Sequence, residues 1–376
     1  MLSASLKRFM LLCLLVVGGM LPTTDTVGAE RTIRAAFFKP QSADDPFWNP
    51  VDKFMRAAAA DLNIEITTYV ADHNRSVMLD QVRHVVMAAE KPDFIVFKNF
   101  KSSAPEVLKI AELYGVNSFL FNAGLSDQER FVHGVPREHF RHWLGQMLPG
   151  DELAGYNLAI SLIKRARELN LTNANGEIVM AGLTGNLSDS AALERNKGLE
   201  RALEENPDVS FQQLVPARWD RSQAAQKAEG LFRRYADISV LWAANDPMAL
   251  GTLDAAEQVG LSPGETFIVG GVDWNPPALD AIKAGTLHTS IGGHFMEGGW
   301  VMVLLYDYVH GKDFADDGGA ARYSEMAGLT SANIEKYRHK FLNEDWDRVD
   351  FTRFSKVKNP ALKTYDFSLD KILDQL

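Results

Sequence analysis

The chain has a single cysteine, Cys13, and it lies in the first fifteen residues. Downstream of it no disulfide can form and no thiol can serve as nucleophile or metal ligand. Stability must therefore come from burial of a core. Positive charge is also scarce: 39 Lys and Arg stand against 49 Asp and Glu, a formal charge of −10. Nucleic-acid binding needs clustered cations, so that class of partner is not expected. No later apolar run approaches the ~20 residues that a membrane span takes. HExxH, GxSxG and the glycine spacings of phosphate-binding loops are missing; "GLTG" at 182–185 does not match them. His133, His139 and His142 fall within ten positions but no obvious ligand set completes them. Neither a metal nor a cofactor is expected, and the chain reads as a binding protein rather than an enzyme.

What is present begins with a leader. Lys7 and Arg8 precede an apolar run from Phe9 to Leu21, and Val27, Gly28 and Ala29 supply small residues after it. Residues 1–29 read as a secretory signal peptide cleaved near Ala29. From Arg31 onward, short β-like runs alternate with helical patterns. The runs are 33–38, 64–70, 94–97, 118–121, 177–182, 209–215, 238–243, 266–271 and 288–292. Many are continuously apolar, as strands buried on both faces of a parallel sheet are. Met78, Val82, Val85 and Ala89 fall on one helical face. Pro216, Pro247 and the Pro276–Pro277 pair follow strands, where helices tend to begin. The strands form two groups, separated by the helical pattern at 151–169.

The α/β alternation therefore predicts two doubly wound parallel-sheet lobes joined by a multi-strand hinge. Residues 30–149 with 294–325 are expected to form the N-terminal lobe. Residues 150–293 with 326–376 are expected to form the C-terminal lobe, including a tail packed on its surface. The hinge is expected near 122–150, 270–294 and 311–330.

The ends of these strands carry a recurring chemistry. After the first come Asp45, Phe47 and Trp48; after the fourth, Asn122. Later strands lead to Arg195, Trp219, Asn245 with Asp246, and Asp273. Aromatic faces bury the C–H faces of a sugar ring, while carboxylates, amides and guanidinium groups meet its hydroxyls. Each piece also has a plain structural reading. Asp246 before Pro247 is a good helix cap, Phe47 and Trp48 are good core residues, and Arg195 can pair with Glu194 or Glu200. Their recurrence at strand C-termini, where open α/β sheets bind ligands, favours a binding site.

"ANDPMALGTLDA", "DDPFW", "SAALERNKGLERAL" and "IVGGVDWNPPALDAIKAGTLHTSI" together resemble the type I periplasmic sugar-binding proteins, the ribose- and galactose-binding family. The resemblance covers roughly residues 31 to 311. It implies that Asp45, Phe47, Trp48 and Asn122 hold a ligand from one lobe. Arg195, Trp219, Asn245, Asp246 and Asp273 would hold it from the other. Lys98 and Ala123 stand where ribose binders carry asparagine and arginine. "IGGH" replaces a glutamine, so His294 is added to the candidates. The resemblance implies a monomer in the periplasm that closes around a sugar-like polyhydroxylated ligand and delivers it to an ABC permease. The tail after 311 is similar to tails in the autoinducer-2 receptor branch, which makes a transmembrane sensor kinase the alternative partner.

Overall fold

The computed structural model describes residues 31–42, 44–341 and 344–376, and the leader segment with Cys13 lies outside them. The first sheet is built from β1 (Ile33–Lys39), β2 (Ile64–Val70), β3 (Phe94–Phe97), β4 (Asn117–Phe121) and β5 (Trp143–Pro149). Helices α1 (Trp48–Asp61), α2 (Arg75–Met87), α3 (Ala104–Tyr114) and α4 (Asp127–His133) form the connections. The chain then crosses into a second unit: α5 (Asp151–Glu168), β6 (Ile178–Thr184), α6 (Ser190–Glu204), β7 (Val209–Pro216) and α7 (Arg221–Arg234). It continues through β8 (Val240–Ala243), α8 (Asp246–Gln258), β9 (Ile268–Val272), α9 (Pro276–Ala284) and β10 (Thr289–Gly292). Helix α10 (Glu297–Val309) returns to pack on α1, β4 and β5. β11 (Ala321–Ser324) then extends the first sheet beside β5, and β12 (Ala327–Thr330) extends the second beside β10. α11 (Ile334–Phe341) and α12 (Leu369–Leu373) follow.

The sheet orders are β11-β5-β4-β3-β1-β2 and β12-β10-β9-β8-β6-β7. All pairings are parallel except β10 with β12. The chain passes between sheets three times: at β5 to α5, at β10 to α10, and at β11 to β12. In each sheet the strand order reverses once, between β1 and β3 and between β6 and β8. Such a reversal splays the flanking connections to opposite faces and opens a crevice at the strand C-termini.

Burial follows position. β3, β4, β6, β8, β9 and β10 are buried almost throughout, whereas the edge strands β2 and β7 are half-exposed. Sequence chemistry sets many helix ends. Asn74 accepts the Ser76 and Val77 N–H groups at the start of α2, and Asp220 accepts Gln223 N–H at the start of α7. Ser126 and Glu129 form a capping box on α4.

Three strands are absent from the sequence-based prediction: β5, β11 and β12. β5 reads "WLGQMLP", and Gly145, Gln146 and Pro149 break its apolar character. Gly145 is required there, since a Cβ would lie 2.6 Å from the Phe314 ring. Two further expectations differ. Ala89 lies beyond the end of α2, whose buried face is Met78, Leu79, Val82, Val85 and Val86. Pro216 ends β7 rather than starting a helix, because Ala217–Asp220 intervene before α7.

The tail departs from the expected grouping as well. α11 packs on α9 of the second unit, but Trp346 and Phe351 pack edge-on against Phe54 of α1. Phe354 and Phe367 contact Trp300 of α10. This part of the tail completes the core of the first lobe rather than lying on the surface of the second.

Candidate functional site

α5 and α6 come together first, and glycine decides how closely. A Cβ at Gly155 would lie 2.1 Å from the Arg195 carbonyl oxygen, and one at Gly198 would lie 2.0 Å from that of Glu152. With hydrogen there instead, the two backbones touch. The buried first-turn residue Asp151 of α5 then reaches Arg195 of α6. Arg195, only 4% exposed, donates from Nε to Asp151 Oδ1 at 2.7 Å and from Nη1 to the Ala244 carbonyl at 2.6 Å. Its remaining reach goes to His294 Nε2 at 3.4 Å and Asp273 Oδ1 at 3.8 Å.

Asp273 follows β9 at φ 129, and Trp274 follows at φ 63, both unusual for residues with a Cβ. The turn is held from behind. Ser290 Oγ donates to the Asp246 carboxyl, Asn275 N–H donates to Asp246 Oδ2 at 2.9 Å, and Trp274 N–H donates to Ser290 Oγ at 3.2 Å. Asp246 is thus fully enclosed and engaged in fixing the Asp273 turn, which is not the ligand-facing role expected of it. Burial pushes its pKa up to about 7, against hydrogen bonds from Ser290 and Asn275 that favour the ion. Burial likewise lifts Asp273 well above the ordinary carboxyl range, and lifts Asp151 despite the Arg195 charge.

His294, in the β10–α10 crossover, completes the centre. Its Nε2 lies 3.5 Å from Asp273 Oδ1, and its ring stacks on Phe47 with centroids 4.7 Å apart. Burial and then the Arg195 charge lower its pKa well below the usual value, so the imidazole is neutral. Its Nε2 faces both Arg195 and Asp273, and its Nδ1 is a buried atom with no partner among the described residues.

The first lobe contributes rings and a lysine. Phe47 meets Trp48 edge-on, and Trp48 is itself wedged against Phe121 in the core. Asp45 accepts the N–H groups of Phe47 and Trp48 through Oδ1 at 3.0 and 2.9 Å, which ties it to the start of α1. Lys98 at the end of β3 is buried, with Nζ 5.3 Å above the Trp48 ring. In the second lobe, the Trp219 backbone has φ 66 and its indole lies flat on Gly185, where a Cβ would come within 2.0 Å. Trp219 Nε1 donates to Asp189 at 2.9 Å, and Arg195 sits 5.6 Å over the ring. Asn245 caps α8 through Met248 N–H and reaches the Trp219 carbonyl at 3.5 Å.

Of the ten expected residues, Phe47, Arg195, Trp219, Asp273 and His294 meet in one contact network. Asn245 borders it, Trp48 and Asp45 support Phe47, and Asp246 supports Asp273. Asn122 stands apart, in a cleft of about 410 Å³ that it shares with Asp151. Phe47 and Asp273 also line a small cavity of about 20 Å³ with Trp274 and Phe295. Asp151, Asp189 and Glu297 were not anticipated. Asp189 and Glu297 each keep one buried carboxylate oxygen without a partner among the described residues. Burial holds the Glu297 pKa well above normal, with Ser324 donating to its other oxygen. Asp151 gave only a helix-start signal in the sequence, and Glu297 was hidden within an apolar helical run. Of the three histidines, His142 contacts Asn117 at 3.1 Å and His133 packs on Phe140.

Two doubly wound lobes whose strand ends enclose one polar and aromatic centre define a two-lobed ligand-binding protein. The chain belongs to the periplasmic binding protein domain family, whose model matches residues 36–313. It is similar in structure to a periplasmic sugar-binding protein from Pseudomonas fluorescens, with a TM-score of 0.81 and 32% identity over 90% of this chain and 99% of that one. It is 25% identical over 315 residues to the xylitol-binding protein of Mycolicibacterium smegmatis, covering 83% of this chain and 81% of that protein. The fold is also shared with an ABC transporter periplasmic solute-binding protein from Actinobacillus succinogenes with bound D-allose. That match has a TM-score of 0.68 and 19% identity, over 82% of this chain and all of the other.

Proposed function

We propose that this protein is a periplasmic solute-binding protein that closes around a sugar or similar polyhydroxylated ligand and delivers it to an ABC importer. One observation carries the reading: Phe47 from one lobe, Arg195, Trp219 and Asp273 from the other, and His294 from a crossover surround a single centre. Rings take the apolar faces of a sugar. Asp273, Arg195 and Asn245 supply acceptors and donors for hydroxyls, each charged hydrogen bond contributing roughly 1.5–3 kcal/mol. Ligand that touches both lobes favours the closed form by as much as its affinities for the two forms differ. The three crossovers are the natural hinge. Residues 1–29 act as the export signal, cleaved near Ala29, and the mature protein works as a monomer without catalysing a reaction.

A thermal-shift panel of pentoses, hexoses and polyols tests this, since ligand raises the melting temperature by mass action. At least one sugar should stabilise the protein. No shift with any of them, or turnover of a sugar by the purified protein, would overturn the reading. The alternative partner, a transmembrane sensor kinase, draws on the long tail; co-purification with a kinase rather than a permease would favour it.

A further inference from the structure

The cleft that Asn122 lines shares one residue with the central network: Asp151, whose Oδ1 accepts Arg195 Nε–H, also lines the cleft. Asn122 is 7% exposed, its backbone is left-handed at φ 64, and its N–H donates to the Met147 carbonyl at 3.0 Å. Its side-chain amide makes no hydrogen bond with any described residue, although it lines the cleft. A nearly buried amide that lines an open space of about 410 Å³ is available to a ligand there.

The walls say what kind of partner. Both lobes contribute, and Lys197 of α6 reaches Asp127 of α4 across the gap at 3.4 Å. Every cation in the wall is already matched: Arg130 with Asp127, Lys197 with Glu194 at 2.7 Å, and Arg201 with Glu152 at 2.5 Å. No unpaired positive charge remains for a phosphate or carboxylate. Matched pairs can still donate to and accept from hydroxyl groups. Leu125, Leu148 and Pro149 give an apolar floor, and the Tyr323 ring, at the edge, is 64% exposed. An aromatic face, an apolar floor and neutral polar walls suit a second uncharged sugar ring.

We propose that this cleft is a second subsite, and that the ligand is a neutral disaccharide or glycoside whose outer unit occupies it. The proposal rests on the sugar-binding reading above. The test is calorimetric titration of the full mature protein with two panels. One holds D-allose, D-ribose, D-galactose and D-glucose; the other holds maltose, cellobiose, lactose and melibiose. At least one disaccharide should bind roughly tenfold tighter than its constituent sugars, in line with added stacking and hydrogen bonds. Tyr323→Ala and Leu153→Trp change exposed residues and should fold normally. Both should remove that gain and leave monosaccharide binding as in the parent. Monosaccharide binding with no tighter disaccharide, or variants that bind the disaccharide like the parent, would overturn the subsite and leave the sugar-binding reading standing. Silence from both panels would overturn both.

Discussion

The two lobes share a topology but equip their rims differently. The first presents rings set into its core, Phe47 on Trp48 on Phe121, with a single lysine over them. The second presents charge: Arg195, Asp151 and Asp273, with Trp219 laid beneath the guanidinium. Among the proposed ligand-binding residues, Trp219 and Asp273 have positive φ in the second lobe and Asn122 in the first. A stacking surface needs only a rigid ring, which core packing supplies. A hydrogen-bonding surface needs groups at fixed angles, which strained turns and buried polar supports supply.

Removing the charge of the second lobe should have the largest effect. Arg195→Ala leaves Asp151 and Asp273 buried without their cation, and should lower unfolding stability by about 3–5 kcal/mol in urea titrations. A loss below ~1 kcal/mol would mean that this cluster does not organise the lobe. On the other side, Trp48→Ala removes a ring that is 3% exposed and should cost about 3 kcal/mol of stability. A variant as stable as the parent would show that the ring is not core.

The buried acid behind Asp273 sharpens the contrast through pH. Asp246 has a folded pKa of about 7 against an ordinary 3.8. Below about pH 4 it is protonated in the folded and unfolded chains alike. Between there and about pH 7 only the unfolded chain loses the proton, so stability falls as pH rises. Asparagine reproduces the protonated acid: its oxygen accepts Asn275 N–H and its amide donates to Ser290. Asp246→Asn should therefore be the more stable form at pH 8, on the order of 2 kcal/mol, and should match the parent near pH 4. Parallel stability curves for the two proteins from pH 4 to 8 would refute the buried-acid account. Smallest of all is Lys98→Met, which keeps the packing on Trp48 and loses a desolvated cation–π contact of about 2 kcal/mol, largely offset because a charge is no longer buried. A melting curve shifted by more than a few degrees would give Lys98 a role beyond that contact.

Legibility in the sequence followed burial. β3, β4, β6, β8 and β9 are enclosed on both faces, so their apolar runs stand out. β11 and β12, at four residues each, draw their pairing from β5 and β10 rather than from their own composition. Arg195, Trp219 and Asp273 were visible because each follows a strand. Asp151 was not, because an acidic residue in a first helical turn reads as an ordinary response to the helix dipole. Its role depends on the Gly155 and Gly198 contact between two helices, and no single stretch encodes that meeting. The support that Asp246 gives to the Asp273 turn was hidden for a related reason. Its place beside Asn245 is local, but its partners Asn275 and Ser290 lie 29 and 44 residues away.

The claim that both lobes grip one ligand is tested most directly by titrating Phe47→Ala and Trp219→Ala with the sugar that gives the parent its largest thermal shift. The account predicts that each variant keeps a cooperative melt and loses most of its affinity, although the two rings belong to different lobes. Parent-like binding by either variant would confine the ligand to a single lobe and contradict it.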